Sequence, residues 1–167
     1  LKVVGAFLGL SRERSDQRRF PAIHPLDSWS KYEGIIDSKK VAEARKILAA
    51  GVDVNNMMKV VGEEGTSIDD FITYLKSEYL DSVYLQQDAY HEIDAACNGD
   101  RQKYVFDKVY SILKTPMSFA EKDVARTFFL KLTQTTKDWN RVAMDSAEFK
   151  DIESNITASV KEVTVNA

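Results

Sequence analysis

The sequence holds a single cysteine, Cys97, in 167 residues, so no disulfide can close within the chain, a usage that fits a reducing compartment. Long apolar runs are absent: none approaches the roughly 20 residues that cross a bilayer, and no charged-then-apolar secretory start is present. Direct membrane insertion is therefore excluded, and any membrane association must come through partners. A dense Lys/Arg block is also missing, and the net charge is −3. Clustered cations are needed to displace phosphate counterions, so nucleic acid is not an expected partner. The seven glycines are scattered and form neither a G-x-x-x-x-G-K-[ST] phosphate loop nor a dinucleotide fingerprint. Nucleotide hydrolysis by these residues alone is not expected. No repeat of fixed period and no low-complexity segment occurs.

What is present is material for a core, with 44% of residues hydrophobic. LKVVGAFLGL at 1–10 lacks helical spacing and predicts a buried strand. The rest of the chain offers it no matching strand, which suits a piece of a larger protein, as does the start at Leu1. SRERSDQRR follows, then Pro21 and Pro25, which remove donors and favour extended neighbours, so 11–28 is expected to be mostly irregular.

From Asp37 onward the pattern turns helical. Val41, Ala44, Ile47 and Leu48 share one face of a helix at 39–50, with Gly51 as its stop. Val54, Met57, Met58 and Val61 mark a shorter helix up to Gly62, and GEEGTS is a break. Ser67 and Asp70 resemble a capping box for a helix carrying Ile68, Phe71, Ile72, Leu75 and Tyr79. That helix is expected to continue, bent, through Tyr84, Leu85, Tyr90, Ile93 and Cys97 until Asn98-Gly99. Tyr104, Val105, Val109, Ile112 and Leu113 line a helix at 101–114 that Pro116 closes. Ser118 and Glu121 then form a capping box for a helix with Ala125, Phe128, Phe129 and Leu132, packed antiparallel on the one before. A last amphipathic segment runs from about Asp145 with Phe149, Ile152, Ile156 and Val160 on one face. The expected fold is mainly α, a helical bundle domain behind a short N-terminal strand or extended arm.

Chemistry-bearing residues are sparse. His24, His91 and Cys97 are the usual soft-ligand types, and their spacings match no common zinc arrangement. Cys97 has no basic neighbour in sequence to activate it and reads as a small hydrophobe. The carboxylate pairs Glu63-Glu64 and Asp69-Asp70 fit loop solvation and a negatively charged helix start better than acid–base work. Neither a catalytic residue nor a metal site is assigned. Phe20 stands apart from the amphipathic stripes, beside Pro21. A flat ring on a stiff turn suits a wall for an adenine base, although from spacing alone packing against the helical body is favoured over ligand contact.

Two windows carry a resemblance. FPAIHPLDSWSKY at 20–32 and YLQQDAYHEID at 84–94 resemble segments of the catalytic A subunit of V-type and archaeal-type rotary ATPases, and the similarity extends over most of 3–113. HPLDSWSKY departs from the NWLxSYSxY form of eukaryotic A subunits while keeping its Leu, Ser and Tyr positions. In its PLDS tetrapeptide it is closer to the F-type beta subunit. The resemblance implies the C-terminal portion of that subunit, with 1–32 a remnant of the nucleotide-binding domain and 33–167 a C-terminal helical domain. It implies that Phe20, with Pro21, lies against the adenine ring and that Tyr90, where the family commonly has Phe, forms another part of the pocket. ATP or ADP with Mg²⁺ would bind the full-length subunit, while upstream segments supply the phosphate loop, the magnesium-associated residues and the carboxylate that orients water. The fragment alone would be inactive.

The implied partners are the B subunit, whose arginine completes the site, and the central-stalk rotor, faced by the loop Gly62, Glu63, Glu64 and Gly65. The implied location is the soluble catalytic head, cytoplasmic and peripheral to a membrane across which H⁺ or Na⁺ moves. On spacing alone, that loop is a solvated turn. The alternative for the whole chain is a free-standing helical interaction module, and residues 117–167 match the family less clearly.

Overall fold

Side chains set the helix starts. Asp37 accepts from the amides of Lys39 (2.8 Å) and Lys40 (3.2 Å), Asn98 from that of Arg101 (2.9 Å) and Ser146 from that of Phe149 (3.1 Å). At Ser67 the box is reciprocal: its hydroxyl accepts from the Asp70 amide at 3.1 Å and donates to the Asp70 carboxylate at 2.7 Å. Each such cap satisfies an otherwise orphaned amide.

The computed structural model describes residues 3–165; Leu1 and Lys2 of the expected first strand, and Asn166 and Ala167, lie outside them. The element order is β1 (Ala6–Phe7), α1 (Arg12–Asp16), β2 (Trp29–Ser30), α2 (Ser38–Val61), α3 (Ile68–Leu80), a π-helical turn (Asp81–Leu85), α4 (Glu92–Ala95), α5 (Gly99–Lys114), α6 (Lys122–Asn140) and α7 (Ala147–Glu162). The chain is mainly α, as its spacing predicts. Among the described residues no helix is long and apolar enough to cross a membrane.

Several local expectations are corrected. Gly51 does not end a helix, because α2 runs through it from Ser38 to Val61. A side chain there would overlap the Cβ and Oγ of Ser77, so glycine permits the close approach of α2 and α3. The predicted continuation of α3 stops at Gln86, whose backbone is extended. Asp88 diverts the chain: its carboxylate accepts from the Tyr90 amide at 3.1 Å, and its own amide donates to Asp94 at 2.6 Å. Such local bonds compete with the helix ladder. Ser118 does not cap α6, which begins after Glu121 without a side-chain bond. Residues 116–118 are instead drawn into pairing with the chain end, Ser118 donating to the Val163 carbonyl and Val165 to that of Pro116.

Helix α3 is the centre of the packing. It lies most extensively against α2 and also contacts α5 and α6, while α6 packs on α3 and α7 rather than in a close pair with α5. Phe71, Tyr79, Trp139 and Phe149 are almost wholly buried. Burying each such ring contributes about 2–3 kcal/mol. Their polar atoms are satisfied, Trp139 donating to the Phe149 carbonyl at 3.1 Å and the Tyr79 hydroxyl lying 3.0 Å from Thr136 Oγ1.

The arm folds back on itself. β1 pairs antiparallel with β2, Ala6 opposite Ser30 and Phe7 opposite Trp29, with a bridge between Leu10 and Ile23. The chain thus supplies the matching strand itself. The pair is short and lies at the surface, leaving Val3, Leu8 and Leu10 exposed where burial was expected. Residues 11–28 contain one short helix, α1, capped by Ser11. Arg45 of α2 holds the arm by donating to the carbonyls of Pro25 (2.7 Å), Leu26 (2.5 Å) and Ser28 (2.8 Å).

Candidate functional site

Phe20 is aimed by the end of α1. Arg18 has a left-handed backbone, φ 56°, and the Arg18 amide donates to Ser15 while the Arg19 amide donates to Arg14. These are the paired bonds of a Schellman ending, in which the left-handed residue turns the chain out of the helix. The next residue, Phe20, is half exposed and is joined to Pro21 by a cis peptide bond. Its carbonyl accepts from the Gln87 amide at 2.7 Å, tying it to the turn that carries Tyr90.

A charge cluster fixes the same arm from behind. Arg14 and Arg19 donate to the two oxygens of Asp81, at the junction of α3 with the π-helical turn, and Arg19 also reaches Glu78 at 3.5 Å. Arg14 is buried and its Nε makes no hydrogen bond. Burial pushes the Glu78 carboxyl upward, and the Arg19 charge opposes that shift.

Tyr90 lies in the turn before α4, not on a helix, and is 99% exposed. Its hydroxyl therefore needs no protein partner. Phe20 and Tyr90 border one cavity of about 280 Å³, near the lower end of small-ligand pockets at roughly 300–1,000 Å³. Pro21 borders an adjoining cavity of about 220 Å³ together with Tyr84 and Cys97. The turn between them is braced at Asp88, which is held below the usual carboxylate range by the Tyr90 amide and by Arg141, which donates at 2.8 Å. Burial pushes the Cys97 thiol up, away from a reactive thiolate.

Sequence reading missed the far wall. Lys137, Asn140 and Arg141, at the end of α6, border the cavity of Phe20 and Tyr90. Nothing in their spacing marks them, because the fold alone brings the end of α6 beside the π-helical turn.

The loop at Gly62–Gly65 is a folded turn. Gly62 has φ +79°, which favours glycine, and its amide donates to Met58 at 3.0 Å. Glu63 is half-buried and paired with Arg126 of α6, while Lys122 donates to the Glu63 carbonyl at 2.5 Å. The Arg126 guanidinium also lies 5.1 Å from the Phe71 ring centroid. Glu64 and Gly65 are exposed, next to Val60 and Val61. Glu63 is thus committed within the domain and Glu64 is its outward carboxylate.

Comparison with known proteins agrees with this architecture. A family model described as the C-terminal domain of V and A type ATP synthase matches residues 38–125. The V-type ATP synthase alpha chain of Borreliella afzelii (strain PKo) is 55% identical over 160 residues, 96% of this chain and 28% of that protein. That of Borreliella burgdorferi (strain ZS7) is 57% identical over 153 residues, 92% of this chain and 27% of its own length. The chain thus spans just over a quarter of these relatives. Among solved structures, the ATP synthase subunit NeqB from Nanoarcheaum equitans superposes with a TM-score of 0.56 at 19% identity, over 69% of this chain and 29% of that one, a likeness of fold. Taken with the helical body and its docked arm, these matches establish that the chain belongs to the C-terminal domain family of V- and A-type ATP synthases.

Proposed function

We propose that this chain is the C-terminal part of the catalytic A subunit of a V/A-type rotary ATPase or ATP synthase, which couples ATP hydrolysis or synthesis to movement of H⁺ or Na⁺ across a membrane. Residues 1–32 are then the end of the nucleotide-binding domain and 33–167 the helical domain. The observation that carries this reading is that Phe20 and Tyr90, distant in sequence, border one cavity. Family membership favours it over a free-standing helical interaction module.

In this reading Phe20, Pro21 and Tyr90 form the adenine side of the site, and the chain makes and breaks no bonds. Aromatic faces suit a purine, and positioning is most of what a protein contributes to phosphoryl transfer. Among the described residues no three His, Cys, Asp or Glu side chains gather where they could hold a metal ion. On the family resemblance, the Mg²⁺ that accompanies ATP is held by other segments, which also supply the phosphate loop, and a neighbouring B subunit completes the site. Gly62, Glu63, Glu64 and Gly65 face the central-stalk rotor, with α2 and α3 as the lever behind them. The assembly places the chain in the soluble head, on the cytoplasmic side.

The test is ATP and ADP affinity of the full-length subunit assembled with its B partner, for wild type, Phe20→Ala and Tyr90→Ala. Loss of a base-stacking ring weakens binding by about 5- to 100-fold. Unchanged affinity in both variants would return these aromatics to a structural role.

A further inference from the structure

Asn140 is the last residue of α6, 7% exposed, and it borders both cavities, the one edged by Phe20 and Tyr90 and the one edged by Pro21. Its Nδ2 donates to the Val83 carbonyl at 2.7 Å. Val83 is in the π-helical turn, where its carbonyl would look five residues on for a donor. That donor, the Asp88 amide, is turned to Asp94 instead, at 2.6 Å. The Asn140 side chain therefore satisfies an orphaned acceptor.

This bond settles the orientation of the amide. A carbonyl can only accept, so nitrogen must face Val83, and Oδ1 is fixed on the other side of the group. Asn140's own backbone carbonyl is held by Arg101 at 2.7 Å, which locks the position as well as the rotation. Oδ1 makes no hydrogen bond to any described residue. Oδ1 is not among the fully buried unpaired atoms, so it is open to the space beside it, and a pre-oriented acceptor on a cavity wall can take a donor from whatever fills the cavity. Of the charges that border the cavity, Arg141 and Asp88 are paired with each other at 2.8 Å and Asp94 accepts from the Asp88 amide, while Arg18 and Lys137 also border it.

We propose that Asn140 is a specificity-determining residue of the base pocket: its Oδ1 accepts a hydrogen bond from the exocyclic 6-amino group of adenine and repels the 6-oxo oxygen of guanine or hypoxanthine. The inference rests on the base-pocket reading above and adds to it a chemical reason for the choice of purine. A site that leaves a buried acceptor facing an acceptor rejects that ligand more strongly than shape alone would.

The assembled enzyme is titrated with ATP, ITP and purine riboside triphosphate, which lacks any 6-substituent, in wild type and in Asn140→Leu. Wild type binds ATP about 5- to 10-fold more tightly than purine riboside triphosphate, the worth of one neutral hydrogen bond, and rejects ITP further. In Asn140→Leu the ratio of ATP to purine riboside triphosphate falls to about 1. A purely structural Asn140 would weaken all three ligands alike and leave the ratios unchanged, which overturns the proposal. So does a wild-type enzyme that does not distinguish ATP from purine riboside triphosphate. If Asn140→Leu fails to assemble, Asn140→Ser keeps a short donor for Val83 and carries the same comparison. Failure of the base-pocket reading itself is seen separately, as unchanged ATP affinity in Phe20→Ala and Tyr90→Ala.

Discussion

At the scale of single residues, Gly51 and Asp88 show how position decides meaning. Glycine inside a helix costs about 1 kcal/mol relative to alanine, so Gly51→Ala would stabilise α2 if space allowed. Space does not allow it, because the added methyl meets Ser77 at the tightest part of the α2–α3 contact. Gly51→Ala is therefore expected to destabilise by about 1–3 kcal/mol, read by chemical denaturation, and Gly51→Ala with Ser77→Gly to recover part of the loss. Asp88 gives a pH prediction. Its pKa is depressed in the fold, so its contribution is present above the unfolded value and is lost as pH falls through the lower folded value. Amide exchange in the 86–91 turn should be insensitive to pH-dependent opening between about pH 8 and 5 and should show the turn loosening only below the ordinary aspartate range. Asp88→Asn removes the charge that Arg141 pairs with and should loosen the turn at neutral pH. Gly51 was misread as a helix stop, because the sequence cannot show which element passes beside it.

At the scale of elements, the arm and the end of α3 behave as one unit through Asp81. Arg14 and Arg19 of the arm converge on it, and the more buried, Arg14, has no other side-chain partner among the described residues. Asp81→Ala would leave the buried Arg14 without a carboxylate partner and Arg19 with Glu78 alone, at a cost of about 3 kcal/mol, and should raise amide exchange at 19–23 more than in α5 or α7. Equal exchange in the arm and the body would contradict the latch. The apolar stripes made α3, α5 and α7 readable, with Ser67 marking the start of α3, whereas α2 was read as two helices because Gly51 interrupts its pattern. The π-helical turn and the start of α6 were not readable, because Asp94, six residues on, and residues 163–165, far along the chain, compete for backbone groups beside them. The Gly62–Gly65 turn yields a prediction at this scale too. Glu63→Lys breaks a partly exposed pair with Arg126, worth no more than about 1 kcal/mol, and so mixes stability with function. Glu64→Lys leaves that pair intact; it should impair ATP-driven rotation of the full complex with the domain's melting temperature unchanged, and unaltered rotation would count against a rotor contact.

At the scale of the whole molecule, one helical body presents two surfaces on opposite ends of the α2–α3 pair's chain connections: the Gly62–Gly65 turn between those helices, and the cavity beyond α3 where arm, π-helical turn and α6 meet. The first was visible in sequence as a Gly-bracketed break. The second was visible only as two separate aromatic windows, joined by a family resemblance; their meeting depends on Asp81, Arg45 and the Phe20–Gln87 bond, which are tertiary contacts. Residues 117–167 had no legible role, yet α6 supplies Trp139 to the core and Asn140 to the cavity wall. The central claim is that the purine of ATP rests between Phe20 and Tyr90. Photolabelling the assembled enzyme with 2-azido-ATP, followed by peptide mapping, tests it most directly: the account predicts ATP-protectable label on the peptides carrying Phe20 and Tyr90, and protectable label confined to other segments would contradict it.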